Sequence, residues 1–184
     1  MKSELTLQLE REIWNATRKS GVFGCFEVTI GFFGVERVDY LTYDTKGTWR
    51  CYEIKASKSD FYSSAKKTFV GHYNYYVMPA SLFEEVKDDI PEHIGVYAGR
   101  KCVKKAKRQP LGVDEQVLKD SLIRSLHRVY EDYVLGKDPN VVGRLRKQLE
   151  KERKERERYR TMYWEMLTTV ASERGIQGAM SYTI

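Results

Sequence analysis

The stretch 37-RVDYLTYDTKGTWRCYEIKASKSDF-61 decides how the chain reads. Two runs rich in β-branched and aromatic residues flank the turn residues Thr45-Lys46-Gly47. That pattern predicts a hairpin with strands over 35–43 and 48–55. Three charges, Asp39, Glu53 and Lys55, interrupt the two runs. In a strand, residues i and i+2 project to the same side. Glu53 and Lys55 therefore share a face, and Ile54 points the opposite way. Pairing across the turn brings Asp39, near the middle of the first strand, toward Glu53 and Lys55. Ser57 to Asp60 follows as a capped helix start.

Working outward, residues 3–19 read as a helix, with Leu5, Leu9 and Ile13 at i, i+4 spacing and Ser3 as N-cap. Residues 25–30 alternate as a strand. The helix that opens at Ser57 is expected to run on through an apolar stripe of Phe61, Ala65 and Phe69 and to stop at Gly71-His72. A short strand follows at 75–78, then a short helix over 81–89 and a final strand pair at 94–98 and 102–107. The order through residue 78 is α-β-β-β-α-β, an α/β core with a mixed sheet over residues 1–110. After Pro110 long helices are predicted over 113–135 and 141–172, with a turn at 136–140. Residues 111–184 thus read as a helical extension. The centre of its second helix, KQLEKERKERERYR, has almost no apolar stripe and no sustained heptads, as in a solvent-bridging helix.

The formal charge of +6 is concentrated. Residues 100–108 hold six basic side chains and no acidic one: Arg100, Lys101, Lys104, Lys105, Lys107 and Arg108. Residues 144–160 carry a net charge of +5. Local basic patches are the footprint of a polyanion partner, although charge runs also serve as solvated faces. The 100–108 run suits backbone phosphates, which such side chains bind without reading sequence. Cys25, Cys51 and Cys102 lack metal or disulfide spacing, as expected of reduced thiols in a cytoplasmic protein. His72, His93 and His127 show no metal spacing. No apolar run is long enough to span a membrane.

Glu-x-Lys occurs three times, at 53–55, 85–87 and 152–154. The last two fall in predicted helices, where i and i+2 do not share a face. Only the first can aim both side chains at one point. Two carboxylates and an ammonium at one sheet edge suit phosphodiester hydrolysis. Mg²⁺ is a hard ion that takes one or two protein carboxylates, keeps several waters and accepts phosphate oxygens. It lowers the pKa of a bound water and neutralises charge on the phosphate. The bland alternative is a surface ion pair on a two-faced sheet.

Val38-Asp39 followed by Glu53-Ile54-Lys55, in an α-β-β-β-α-β order, resembles the PD-(D/E)XK nuclease superfamily. The closer likeness is to small MmcB-like DNA-repair members, also met in phage genomes. It rests on Glu27, Arg37-Val38-Asp39, Glu53-Ile54-Lys55-Ala56-Ser57, Asp60-Phe61, Lys66 and the tract Tyr73 to Pro79. It covers residues 3–108 and says nothing of the remainder. The resemblance implies a restriction-endonuclease-like core and Mg²⁺-dependent cleavage of DNA, with Mn²⁺ substituting, in repair, recombination or phage DNA processing. By position Asp39 and Glu53 are the implied metal ligands and Lys55 the catalytic lysine. A further glutamate is expected from Glu10, Glu12 or Glu27. Lys66 is a candidate phosphate contact, and Tyr73, Tyr75 and Tyr76 are either base-stacking or core residues. Superfamily members also include inactive binding modules. A non-catalytic nucleic-acid-binding module and a helical assembly protein, the latter forming a homodimer through the C-terminal helices, are the alternatives.

Overall fold

A computed structural model describes residues 2–34, 36–64 and 67–173. The elements are α1 (Glu4–Thr17), β1 (Val22–Thr29), β2 (Arg37–Asp44), β3 (Trp49–Ile54), α2 (Lys58–Phe61), β4 (Tyr73–Met78), α3 (Ala80–Val86), a 3-10 turn (Lys87–Asp89), β5 (Gly95–Ala98), β6 (Lys101–Lys104), α4 (Glu115–Lys137) and α5 (Pro139–Glu173). The α/β class and the mixed sheet are as expected. Among the described residues, six strands lie in the order β1-β2-β3-β4-β5-β6. The β3–β4 and β4–β5 pairs are parallel, and the other three are antiparallel.

Each parallel step needs a crossover. Between β4 and β5 it is α3 with the 3-10 turn. Between β3 and β4 it is not the long helix predicted from Ser57. The Ser57 cap forms, with the Asp60 N–H donating to Ser57 Oγ at 3.2 Å, but α2 is one turn long. Residues 67–72 are irregular because their backbone bonds go elsewhere. The Thr68 N–H donates to Glu53 Oε1, the Gly71 N–H to Asn74 Oδ1, and Val70 O accepts from the Gly112 N–H. Ala65, the middle residue of the expected stripe, and Lys66, the candidate phosphate contact, lie outside the described residues.

The sheet is covered on both faces. On one, Leu9 and Ile13 of α1 pack on Tyr40, Tyr52, Ile54 and Val77. The other carries Val28, Val38, Leu41, Trp49 and Cys51, covered by Leu118 and Leu122 of α4. A further cluster joins Tyr76, Met78 and Val96 to Leu82 and Val86 of α3. Ser121 Oγ of α4 accepts from the Gly31 N–H at 2.9 Å, and Arg124 Nη2 donates to Thr29 O and Gly31 O at 2.9 Å each.

The first half of α4 therefore belongs to the sheet domain, although residue 110 marks the change in composition. The chain divides into compact units at Val129/Tyr130. In the second unit the turn predicted at 136–140 shrinks to Asp138, whose carboxylate accepts from the Asn140 N–H at 2.8 Å and caps α5. No described helix is long and apolar enough to cross a membrane.

Candidate functional site

The β2–β3 ladder runs from Tyr43↔Trp49 to Tyr40↔Tyr52 and stops there. Continuing it would set Asp39 opposite Glu53. Instead the Ile54 N–H donates to Asp39 Oδ2 at 2.8 Å, so a side chain takes the place of a ladder carbonyl. Beyond it the Lys55 N–H donates to Val77 O at 2.9 Å, which keeps this end of β3 bound to β4. The strand leaves β2 while staying in the sheet, and a cleft opens between the two.

A second irregularity faces the first. The pairs Phe26↔Tyr40 and Val28↔Val38 bracket Glu27, which has φ +54°. A non-glycine residue in the left-handed region is held at a cost of roughly 1–3 kcal/mol, and such strain clusters at functional sites. Its carboxylate pairs with Lys2 at 2.6 Å and Arg37 at 3.1 Å. Lys2 also pairs with Glu10. These partners hold the Glu27 carboxyl below its ordinary pKa, the Lys2 bond most of all.

The cleft measures about 590 Å³. Asp39, Glu53, Ile54 and Lys55 form one wall, Glu10 and Lys2 another, and Glu27, Glu36, Arg37, Asp60 and Thr68 are among the other residues that line it. Among the described residues, six carboxylates thus line it against three cations. Glu53 is 3 % exposed and Lys55 6 %. Burial, and then the neighbouring Asp39, push the Glu53 carboxyl up to about 8. Asp39 is also raised, chiefly by burial, with the Ile54 N–H and Lys55 opposing. The Lys55 ammonium lies 3.6 Å from Asp60 Oδ1, and Asp60 Oδ2 accepts from the Ala56 N–H at 3.2 Å. Thr68 Oγ1 is buried on the cleft wall and has no hydrogen-bond partner among the described residues.

This donor set fits a hard divalent cation. Buried carboxyls whose ionised forms are disfavoured by burial, as both are here, are stabilised as carboxylates by a positive charge beside them. Among the described residues no three of His, Cys, Asp and Glu form a protein-only cage. Two carboxylates beside an open cleft match an ion that keeps most of its water.

Of the sequence candidates, Asp39, Glu53, Lys55, Glu27 and Glu10 line this one cleft. Glu12 does not. Two residues along a helix from Glu10, it turns away and accepts from Gln8 Nε2, and its Oε2 lies 2.7 Å from where a Cβ on Gly99 would sit, at the β5–β6 turn. The basic run separates as well. Lys101 pairs with Ala98, one rung beyond the Ile54↔Val77↔Tyr97 row, so Arg100 and Lys101 sit at the cleft end of the sheet, about 14 Å across three strands. Lys104 lies further along β6 and is occupied in donating to Ile90 O and Pro91 O. Lys107 pairs with Glu92. Gln109, next to Arg108, bonds to His72 O ahead of β4, which leads Lys105, Lys107 and Arg108 to the opposite end. Tyr76 is buried against Phe61 and Phe69, and Tyr75 packs on Tyr52 and Tyr97, so both are core residues. Sequence reasoning missed Lys2, Glu36 and Thr68. No local pattern marks them, since folding alone brings them to the cleft.

No family model matches the sequence, and no curated protein does. A solved structure of a protein of unknown function from Silicibacter pomeroyi, SPO1766, aligns with TM-score 0.60 at 19% identity, covering 76% of this chain and 96% of that one. At that identity the likeness is one of fold.

Proposed function

We propose that this chain is a metal-dependent nuclease that hydrolyses phosphodiester bonds of DNA on a PD-(D/E)XK-type core. The observation that carries the reading is the convergence of Asp39, Glu53 and Lys55 in one cleft, with the Glu53 carboxyl pushed up to about 8. Asp39 and Glu53 would hold Mg²⁺, or Mn²⁺ in its place. The bound ion would supply an activated water and neutralise charge on the phosphate. Asp39 is fixed for this by the Ile54 N–H, and Glu53 by the Thr68 N–H. Lys55, buried along its stem, offers an ammonium for the growing negative charge on phosphate oxygens. Arg100 and Lys101 would guide the DNA backbone at the same end of the sheet. The free thiols of Cys25, Cys51 and Cys102 suit a reducing cytoplasmic setting.

The test is plasmid nicking in Mg²⁺ or Mn²⁺, with Asp39→Ala and Lys55→Ala beside the wild type. Metal-dependent nicking that both variants lose supports the enzyme. Absence of nicking, or equal nicking by the variants, sinks it, and DNA binding without cleavage would leave a binding module.

A second reading concerns the second unit. Tyr159, Met162, Tyr163, Met166 and Leu167 of α5 are all exposed and share one side of the helix, an apolar face that favours helical self-assembly into a homodimer. A full-length chain that sediments as a monomer at micromolar concentration would remove that reading.

A further inference from the structure

The β1–β2 loop carries Gly31-Phe32-Phe33-Gly34. Phe33 is 101 % exposed and Phe32 77 %. Neighbouring aromatic rings left in water beside a cleft mark a contact surface. Thr29, Gly34 and Glu36, on either side of the pair, line the same cleft as Asp39 and Glu53.

The base of this loop is fastened. The Ile30 N–H donates to Glu36 O at 2.9 Å. Gly31, at φ +75°, is held through its N–H by Ser121 and through its carbonyl by Arg124. A Cβ on Gly34 would overlap Ile30 O, so the turn closes only around glycine. The Arg124 guanidinium lies 4.8 Å from the Phe32 ring centroid and braces that ring from behind. Phe33 is thus the free tip of an anchored loop. Two exposed cations, Arg37, which pairs with Glu27, and Arg128 of α4, which donates to Glu27 O, belong to the β1–β2 end from which the loop extends.

We propose that Phe33 is a base-stacking wedge. It packs against an unstacked base next to the phosphodiester held in the cleft, so that the site selects DNA with unpaired bases over continuous duplex. This rests on the nuclease reading and adds the substrate class. An aromatic face accepts any base, so the selection is for an exposed base and not for sequence. Arg37, the exposed cation of the cleft wall, contacts a flanking phosphate.

The experiment uses the full chain with Asp39→Asn, which keeps an oxygen for the Ile54 N–H and prevents turnover during binding. Fluorescence anisotropy in Mg²⁺ compares a gapped duplex with a continuous duplex of equal length. The expected result is tighter binding to the gapped DNA, lost by about ten-fold on adding Phe33→Ala and retained by Phe33→Trp. Continuous-duplex binding should change less than two-fold. Equal affinity for the two DNAs, or Phe33→Ala weakening both alike, overturns the wedge and leaves the nuclease reading standing. A chain that binds neither DNA overturns both. Phe33-dependent binding to anionic phosphatidylserine vesicles, without discrimination between the DNAs, replaces the wedge with a membrane contact. Phe33 is solvent-exposed, so an unchanged thermal melt is expected of each variant and checks folding.

Discussion

Replacing Glu53 with glutamine should stabilise the metal-free protein above about pH 4.5, and increasingly so up to about pH 8. The Glu53 carboxyl moves from an ordinary 4.5 to about 8, first through burial and then through Asp39. Its proton is bound more tightly in the folded chain than in the unfolded one. Below 4.5 both states are protonated, so no difference arises. As pH rises toward 8 the unfolded state gains the freedom to ionise, and the folded state increasingly forgoes it. At roughly 1.4 kcal/mol per pH unit, the penalty is about 2 kcal/mol at pH 6 and on the order of 4 kcal/mol at pH 8 and above. Glutamine carries no such penalty and keeps an oxygen for the Thr68 N–H. Urea unfolding of wild type and Glu53→Gln in EDTA, at intervals from pH 5 to pH 9, measures the gap directly. It should widen with pH and flatten above 8. In an Asp39→Asn background it should shrink, because the second cause of the shift is gone. Mg²⁺ should close it from the other side by stabilising the wild type alone, increasingly so at high pH. A gap independent of pH, or one that narrows toward pH 9, would refute the buried-carboxylate account of the cleft.

Truncation after Lys137 should leave the sheet domain melting as in the full chain. Truncation after Pro110 should unfold it, because Leu118 and Leu122 leave the core, as circular dichroism melts will reveal. Thr68→Val removes a buried hydroxyl with no partner among the described residues and should raise metal-free stability by about 1 kcal/mol, read as a shifted urea midpoint at constant slope. Gly34→Ala should destabilise by more than the ordinary glycine-to-alanine change, because its Cβ would collide with the Ile30 carbonyl; a melt equal to or above that of wild type would contradict the loop geometry.

The hairpin, the shared face of Glu53 and Lys55, the inward turn of Ile54 and the Ser3 and Ser57 caps were all legible in the sequence. Each depends on periodicity or on hydrogen bonds between near neighbours, and these are properties of a short window. Tertiary structure decided the remainder. It kept α2 to one turn because Glu53 and Asn74 claim the amides that a longer helix would use. It chose Glu10 over Glu12 for the cleft, because only the docked orientation of α1 fixes which side of the helix looks inward. It divided the basic run between two ends of the sheet through strand register. It carried the domain boundary past Pro110, since the β1–β3 face needs Leu118 and Leu122 to bury it. Composition marks where the chain changes character, whereas contacts between residues some ninety positions apart settle where a domain ends and what lines its cleft.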